Sequence, residues 1–338
     1  MEKQTSALRD WIEAHTGFTN ANITRELSGG NSNVTQLIST DQQLIVLRTP
    51  PENTVSPKAH RGIEREWQVM NALHGHAKVP KPIAWCEAPE VIGRPFVLVS
   101  HIDGVSISDS LPANYAQTCT TLNALGEQLT DELATIHTLA WQDVGLANFG
   151  NPENFLQRQI ERWLHIRTQS TVRELSAIGA LGNWLLDNVP EHAPVSLIHG
   201  DYHLDNSLCA QDAPELIAVI DWEMATIGDP LTDLGLFLMF WGPRREDPPG
   251  FAHIQAVSRQ HPVLSRRELA QRWSSATGYS LDALDFYMCF AFWRLAAIVE
   301  GAYVLYSQGK VDSDYARGLE YDVPALLREA TAAAAGNW

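Results

Sequence analysis

The stretch His199-Gly200-Asp201-Tyr202-His203-Leu204-Asp205-Asn206, closed by Ile220-Asp221-Trp222, constrains this chain more than any other. The apolar run Val195–Ile198 precedes it, and a turn through Gln211–Pro214 leads to a second apolar run, Leu216–Ile220. Short apolar runs bounded by turn formers read as strands. The pattern is therefore strand, loop, strand, with an acid where the last strand ends. Asn206 and Asp221 offer the oxygen ligands that a hard cation such as Mg²⁺ takes. Asp201 stands one short loop away, with no obvious cation beside it, free to accept a proton. Phosphoryl transfer requires these two parts: a metal to hold phosphates and a carboxylate to orient a hydroxyl.

The same residues leave a second arrangement open. His199, Asp201, His203 and Asp205 alternate, as the ligands of a metal-dependent hydrolase on an extended strand do, and neutral imidazole suits zinc. Gly200 and the Asn206 end point instead to a loop. There, His199 braces the loop and His203 faces solvent.

Upstream, Ser6–His15 reads as a helix, and Ile23–Leu27, Val34–Ser39 and Leu44–Arg48 read as strands, with Asp41-Gln42 turning between the last two. The loop Ser28-Gly29-Gly30-Asn31-Ser32-Asn33 can turn backbone N–H groups inward as a phosphate cradle. It also suits an ordinary hairpin turn, and no Gly-Lys-Ser/Thr follows to make a P-loop. In His60–Leu73, Ile63, Trp67, Met70 and Leu73 form one helical stripe. Glu66 falls on that inward stripe, where a lone carboxylate is costly. Arg48, ending the third strand, is its expected partner; the alternative is a Glu66 at the helix rim in solvent. Pro80 and Pro82 break the chain before two further strands, Ile83–Cys86 and Phe96–Ser100.

Beyond His101-Ile102-Asp103-Gly104 the pattern turns helical: Thr121–Thr138, Glu153–Arg167, Glu174–Asn188 and Leu281–Tyr306. His137 reads as a core or capping residue, and Arg158, Arg162 and Arg167 as a solvated face, with one contact to an anionic substrate left open. Asp233, at a helix start after Gly228-Asp229-Pro230, is placed to accept buried backbone N–H bonds. Arg294 and Glu300 interrupt the last helix, either as paired core charges or as groups that reach a pocket.

The motif H-x-D-x-x-x-x-N at 199–206, with I-D-W-E at 220–223, resembles the aminoglycoside phosphotransferase and choline kinase group, over about Leu27 to Gly301. Leu47-Arg48 before Pro50-Pro51, Arg65-Glu66-Trp67 and Val91-Ile92-Gly93-Arg94-Pro95-Phe96 narrow the resemblance to a subgroup seen also as kinase-like domains fused to acyl-CoA dehydrogenases. It implies an α+β, protein-kinase-like, two-lobe fold. Residues 1–103 would be a nucleotide-binding lobe of small antiparallel sheet plus helix, and residues 104–338 a larger, mainly helical catalytic and substrate-binding lobe. The resemblance implies ATP and Mg²⁺ as cofactors, Asp201 as the catalytic base, Asn206 and Asp221 as metal ligands, and His199 and Asp233 as supports of the site. It further implies nucleotide contacts from Gly29, Gly30, Ser32 and Asn33, from Arg48 with Glu66 at the phosphates, and from Ser100 and Ile102 at the hinge. Most members carry Lys where this chain has Arg48; Arg keeps the charge and adds a fork. The implied activity is transfer of the γ-phosphate to a small-molecule alcohol, a metabolite or hydroxyacyl thioester rather than an antibiotic. A protein kinase would carry an activation segment ending in Ala-Pro-Glu, and Gly228-Asp229-Pro230 follows Asp221 too soon for one. A non-catalytic nucleotide binder would be expected to lack Asp201 or Asp221.

Composition sets the remaining expectations. A net charge of −16 repels phosphate backbones and argues against nucleic acid. With 45% hydrophobic and 19% charged residues, the chain has ample material for a core. Cys86, Cys119, Cys209 and Cys289 form no metal pattern and read as buried thiols in a reducing compartment. Met1-Glu2-Lys3-Gln4 opens no signal peptide, and Phe286–Tyr306 reads as a core helix rather than a membrane span. The expected protein is cytoplasmic, with no membrane and no obligate protein partner.

Overall fold

The computed structural model describes residues 2–27, 33–51, 57–170, 172–246, 251, 254–259 and 262–338. Strands β1 (Asn22–Glu26), β2 (Val34–Ser39), β3 (Leu44–Thr49), β4 (Pro82–Cys86) and β5 (Phe96–Ser100) form one antiparallel sheet in the order β1-β2-β3-β5-β4. Successive side chains on a strand point to opposite faces. Ile45 and Leu47 therefore join Ile38, Phe96 and Leu98 against Leu8 and Ile12 of helix α1 (Glu2–Thr16). Val46 belongs to the other face, with Val97, Val99 and the buried Ile63, Met70 and Leu73 of helix α2 (Pro57–Leu73). Arg48, two residues beyond Val46, shares that face. A single turn, α3 (Pro89–Ile92), lies between β4 and β5, where the sequence suggests only a loop; Gly93 closes it at φ 83°, its N–H donating to Pro89 O.

The chain then leaves the sheet. Strand β6 (Gly104–Val105) pairs with β8 (Ser207–Ala210), and β8 pairs with β9 (Leu216–Val219). Strand β7 (Ser196–Ile198) pairs with β10 (Thr226–Gly228). Helices α4 (Cys119–Thr138), α5 (Phe155–Gln169), α6 (Ser176–Asp187), α7 (Leu231–Phe240), α8 (Arg266–Thr277), α9 (Leu284–Ser307) and α10 (Asp314–Ala334) make the larger part. Every residue of α7 is buried. Helix α9 crosses it closely at Gly235, where a Cβ would stand 2.8 Å from the Tyr287 carbonyl oxygen. By length and composition α9 could cross a membrane, yet most of it is buried among its neighbours. A small antiparallel sheet with a larger helical part is the expected α+β architecture. Helices α8 and α10 were not anticipated. Cys119 departs from expectation: it is exposed, while the other three cysteines are buried.

Candidate active site

The loop 199–206, between β7 and β8, is held from several sides. Asp233, in the first turn of α7, accepts the His199 N–H at 2.6 Å and the Gly200 N–H at 2.8 Å. His137 Nε2 lies 3.3 Å from the same carboxylate, and its Nδ1 accepts the Trp273 indole N–H at 3.1 Å. Burial alone would push the Asp233 carboxyl up. The hydrogen bond and charge of His137, the charge of His199 and the backbone donors outweigh it and hold the carboxyl below its ordinary value. Gly200 sits at φ +88°, and a Cβ there would meet Met224 O at 2.6 Å, so only glycine fits. His199 is fully buried; burial holds its pKa down, Nδ1 accepts the Asp201 N–H, and Nε2 lies 2.9 Å from Ile220 O.

Asp201 presents nearly half of its side-chain surface, and Asn206 Nδ2 donates to its Oδ2 at 2.9 Å. His203 corrects two expectations at once. It is buried, not solvent-facing, and it is a cationic neighbour of Asp201. Its ring bridges two carboxylates, with Nε2 3.6 Å from Asp201 Oδ1 and Nδ1 3.3 Å from Asp205 Oδ2. Burial opposes its protonation, but bonds to Asp201 and Asp205 win and raise its pKa to about 9. Conversely, burial pushes Asp201 up, while the His203 bond and charge, the His199 charge and the Asn206 bond bring it down to about 2. Asp201 is therefore ionised at every physiological pH.

Asp221, two residues beyond β9, lies in the left-handed region at φ 68°, a conformation that costs energy away from glycine. Arg48 Nη2 donates to Asp221 Oδ1 at 3.0 Å, and Arg48 Nε stands 2.9 Å from Glu66 Oε1. The strand cation and the helix carboxylate thus meet, and Glu66 is buried rather than at a solvent rim. Burial, opposed by Arg48 but reinforced by Asp221 and Glu223, lifts Glu66 to about 7. The region holds more negative charge than Arg48 neutralises. Asn206 uses its Nδ2 on Asp201, and Ile220 N donates to Asn206 O at 2.9 Å, stitching Asn206 next to Asp221. Among the described residues, Asn206 Oδ1 and Asp221 Oδ2 accept no hydrogen bond. Two free hard oxygens in an uncompensated negative field suit a divalent cation, with phosphate and water completing its shell. No group of three or more His, Cys, Asp or Glu among the described residues is placed to hold a metal. His199 has both ring nitrogens occupied, and in His203 Nδ1 lies against Asp205 while Nε2 lies 3.2 Å from Asn206 Nδ2 and 3.6 Å from Asp201 Oδ1. The four-ligand hydrolase cluster therefore does not form.

Gly29, Gly30 and Ser32 lie outside the described residues. Asn33 donates to Glu223 Oε2 at 2.7 Å, tying the first hairpin to the I-D-W-E segment. Ser100 uses N on Lys81 O and Oγ on Lys81 N, while Ile102 O accepts Gly104 N–H. Two further residues hold the site together in ways the sequence does not show. Gln255, fully buried at φ 50°, accepts Leu204 N–H at 2.7 Å, donates its own N–H to Asp205 at 2.9 Å, and anchors to Phe237 O. Arg65 of α2 donates to Phe149 O and Ala225 O and stacks on Phe149, joining sheet side to helical side. Gln255 carries no local pattern that would single it out, while Arg65 stands in Arg65-Glu66-Trp67 with no structural role legible there.

A cavity of about 260 Å³ opens beside Asp201. Thr232, Leu236 and Phe240 of α7 and Phe290, Arg294 and Ile298 of α9 supply two facing stripes, with Gly200, Asp201 and His203 at one end.

Sheet, connecting strand, helical part and loop together define a phosphotransferase of kinase-like fold. The chain belongs to the phosphotransferase enzyme family, APH, whose profile matches residues 23–269. It is 31% identical over 294 residues to human acyl-CoA dehydrogenase family member 11, covering 84% of this chain and 36% of that protein. The mouse family member 10 is likewise 31% identical over 290 residues, covering 84% and 26%. The chain thus spans about a third of the length of the curated relatives it matches. A solved structure from Ralstonia eutropha, provisionally named an aminoglycoside phosphotransferase, superposes with a TM-score of 0.83 at 30% identity, covering 97% and 98% of the two chains. The GDP complex of an aminoglycoside 2'-phosphotransferase-IIIa mutant shares the fold, with a TM-score of 0.64 at 17% identity and 97% of each chain covered.

Proposed function

We propose that this chain moves the γ-phosphate of ATP, bound with Mg²⁺, to the hydroxyl of a small molecule. The observation that carries the reading is the Asp201 carboxylate, open to a cavity and tied through Asn206 to two free oxygen donors. Asn206 Oδ1 and Asp221 Oδ2 would hold Mg²⁺, which when bound neutralises phosphate charge and fixes the phosphoryl group for in-line transfer. Arg48 keeps Nη1 without a partner among the described residues, available to a phosphate oxygen. Asp201 accepts the hydrogen bond of the acceptor hydroxyl and aims its oxygen at phosphorus. A carboxylate with a pKa of about 2 is a weak base. A loose transition state asks little of the base early, and the proton moves late.

The acceptor reading follows from where the acids go. Asp205 binds His203 and Gln255, Glu223 binds Asn33, Asp229 binds Tyr287 and Leu231, and Glu300 binds Arg173. These acids are committed elsewhere, which disfavours a polycation in the largely apolar cavity. A hydroxylated metabolite, hydroxyacyl thioesters included, suits it better. Calorimetric titration with Mg·ATP tests the nucleotide half. Wild type should bind and Asp221→Ala should lose metal-dependent binding; equal affinity in both would remove Asp221 from the metal site.

A further inference from the structure

Arg294 is the unexplained group of the cavity. It lies on α9 one turn beyond Phe290 and one turn before Ile298, so all three face the same space. Its Nε is sealed from solvent and bonded to nothing, and no hydrogen bond or ion pair joins it to a described residue. Charged side chains in such surroundings are normally paired, because an unmatched ion loses hydration without recompense. The carboxylates whose charge reaches it are Asp233 and Asp201. Asp233 already accepts two backbone N–H groups and lies against His137, and Asp201 lies against His203 and Asn206, so neither carboxylate forms a bond to Arg294. Arg162, exposed on α5, adds a second positive charge rather than a counter-ion. Burial lowers the guanidinium pKa, the direction expected of a cation without a bonded partner. Glu300, the other charge in α9, has its own partner in Arg173 at 2.6 Å.

We infer that Arg294 binds a carboxylate of the acceptor, so that the phosphorylated alcohol belongs to a hydroxy acid whose apolar chain lies between α7 and α9. This rests on the reading of Asp201 as the acceptor-side carboxylate. It narrows that reading, since a carboxylate held on α9 leaves the chain's hydroxyl to reach Asp201. Arg suits the task because its planar fork matches a carboxylate and stays charged when half-buried.

The test uses the full chain and two probes that cannot be phosphorylated, octanoate and octanamide, in calorimetric titrations. Octanoate should bind about tenfold or more tighter than octanamide, the range of a charge-assisted hydrogen bond. Arg294→Gln should abolish the difference and Arg294→Lys should retain part of it, both at a melting temperature near wild type. Mg·ATP affinity, measured in the same samples, should stay within about twofold. Equal binding of the two probes, or no binding of either, overturns the inference. So does octanoyl-coenzyme A binding that is indifferent to Arg294→Gln without an octanoate preference. Loss of Mg·ATP affinity in Arg294→Gln would place the residue on the nucleotide's phosphates and overturn it as well. A wild type that prefers octanoate yet binds no Mg·ATP would fail the kinase reading alone.

Discussion

At the scale of the residue, Arg48 shows how one substitution shapes a site. Its fork reaches both Glu66 and Asp221, at 2.9 and 3.0 Å. A lysine carries one ammonium and cannot span two carboxylates with the same planar geometry. Arg48→Lys should therefore weaken Mg·ATP binding by about 1–3 kcal/mol, and Arg48→Ala by more, since Glu66 and Asp221 then face each other uncompensated. Wild-type affinity in Arg48→Lys would show that the fork is unused. His203 teaches a different lesson. An imidazole between two acids in sequence reads as ordinary surface, and only the loop's curvature makes it a buried bridge to Asp201 and Asp205.

At the scale of the element, α7 and the loop it supports act as one unit. Asp233 satisfies two backbone N–H groups in a fully buried site, more than an ordinary helix cap does. Asp233→Ala should cost about 3 kcal/mol, against roughly 1 for a simple cap, because two donors are left unpaired in the interior. The folded-state pKa of Asp233 lies below its ordinary 3.8, so its stabilisation is present above that value and fades as pH falls through the folded pKa. The melting-temperature gap between wild type and Asp233→Ala should be constant near neutrality and shrink in acid below that value. A gap independent of pH would mean that charge plays no part. The elements that were legible in sequence had strong periodicity: the stripe of α2 set Glu66 inward, and Arg48 at the end of the third strand was its expected partner. Helix α10 was not legible: its last turn, within Ala330–Ala335, reads as no more than an Ala-rich end, and Pro324 stands inside the helix. Gln255 was invisible because its role depends on chain folding back from outside any regular element. The loop motif was legible as chemistry, but the His203 bridge and the unpartnered Arg294 needed three dimensions.

At the scale of the whole molecule, the cavity beside Asp201 is largely apolar, and Asp201 is its one acid among the described residues. Kanamycin-type polycations should accordingly be poor acceptors, and a kcat/KM of about 10⁴ M⁻¹s⁻¹ or above on one of them would contradict this reading of the cavity. The central claim is that Asp201 directs phosphoryl transfer from Mg·ATP to an alcohol. It is tested most directly by incubating wild type and Asp201→Asn with Mg·ATP and a panel of hydroxylated metabolites and hydroxy acids, following ADP release and the mass of the acceptor. The predicted result is acceptor-dependent ADP release with a phosphoryl group gained by the acceptor, reduced about 10²-fold or more in Asp201→Asn while Mg·ATP still binds. Phosphorylation at a comparable rate by Asp201→Asn, or ATP binding without phosphorylation of any alcohol by wild type, would contradict it.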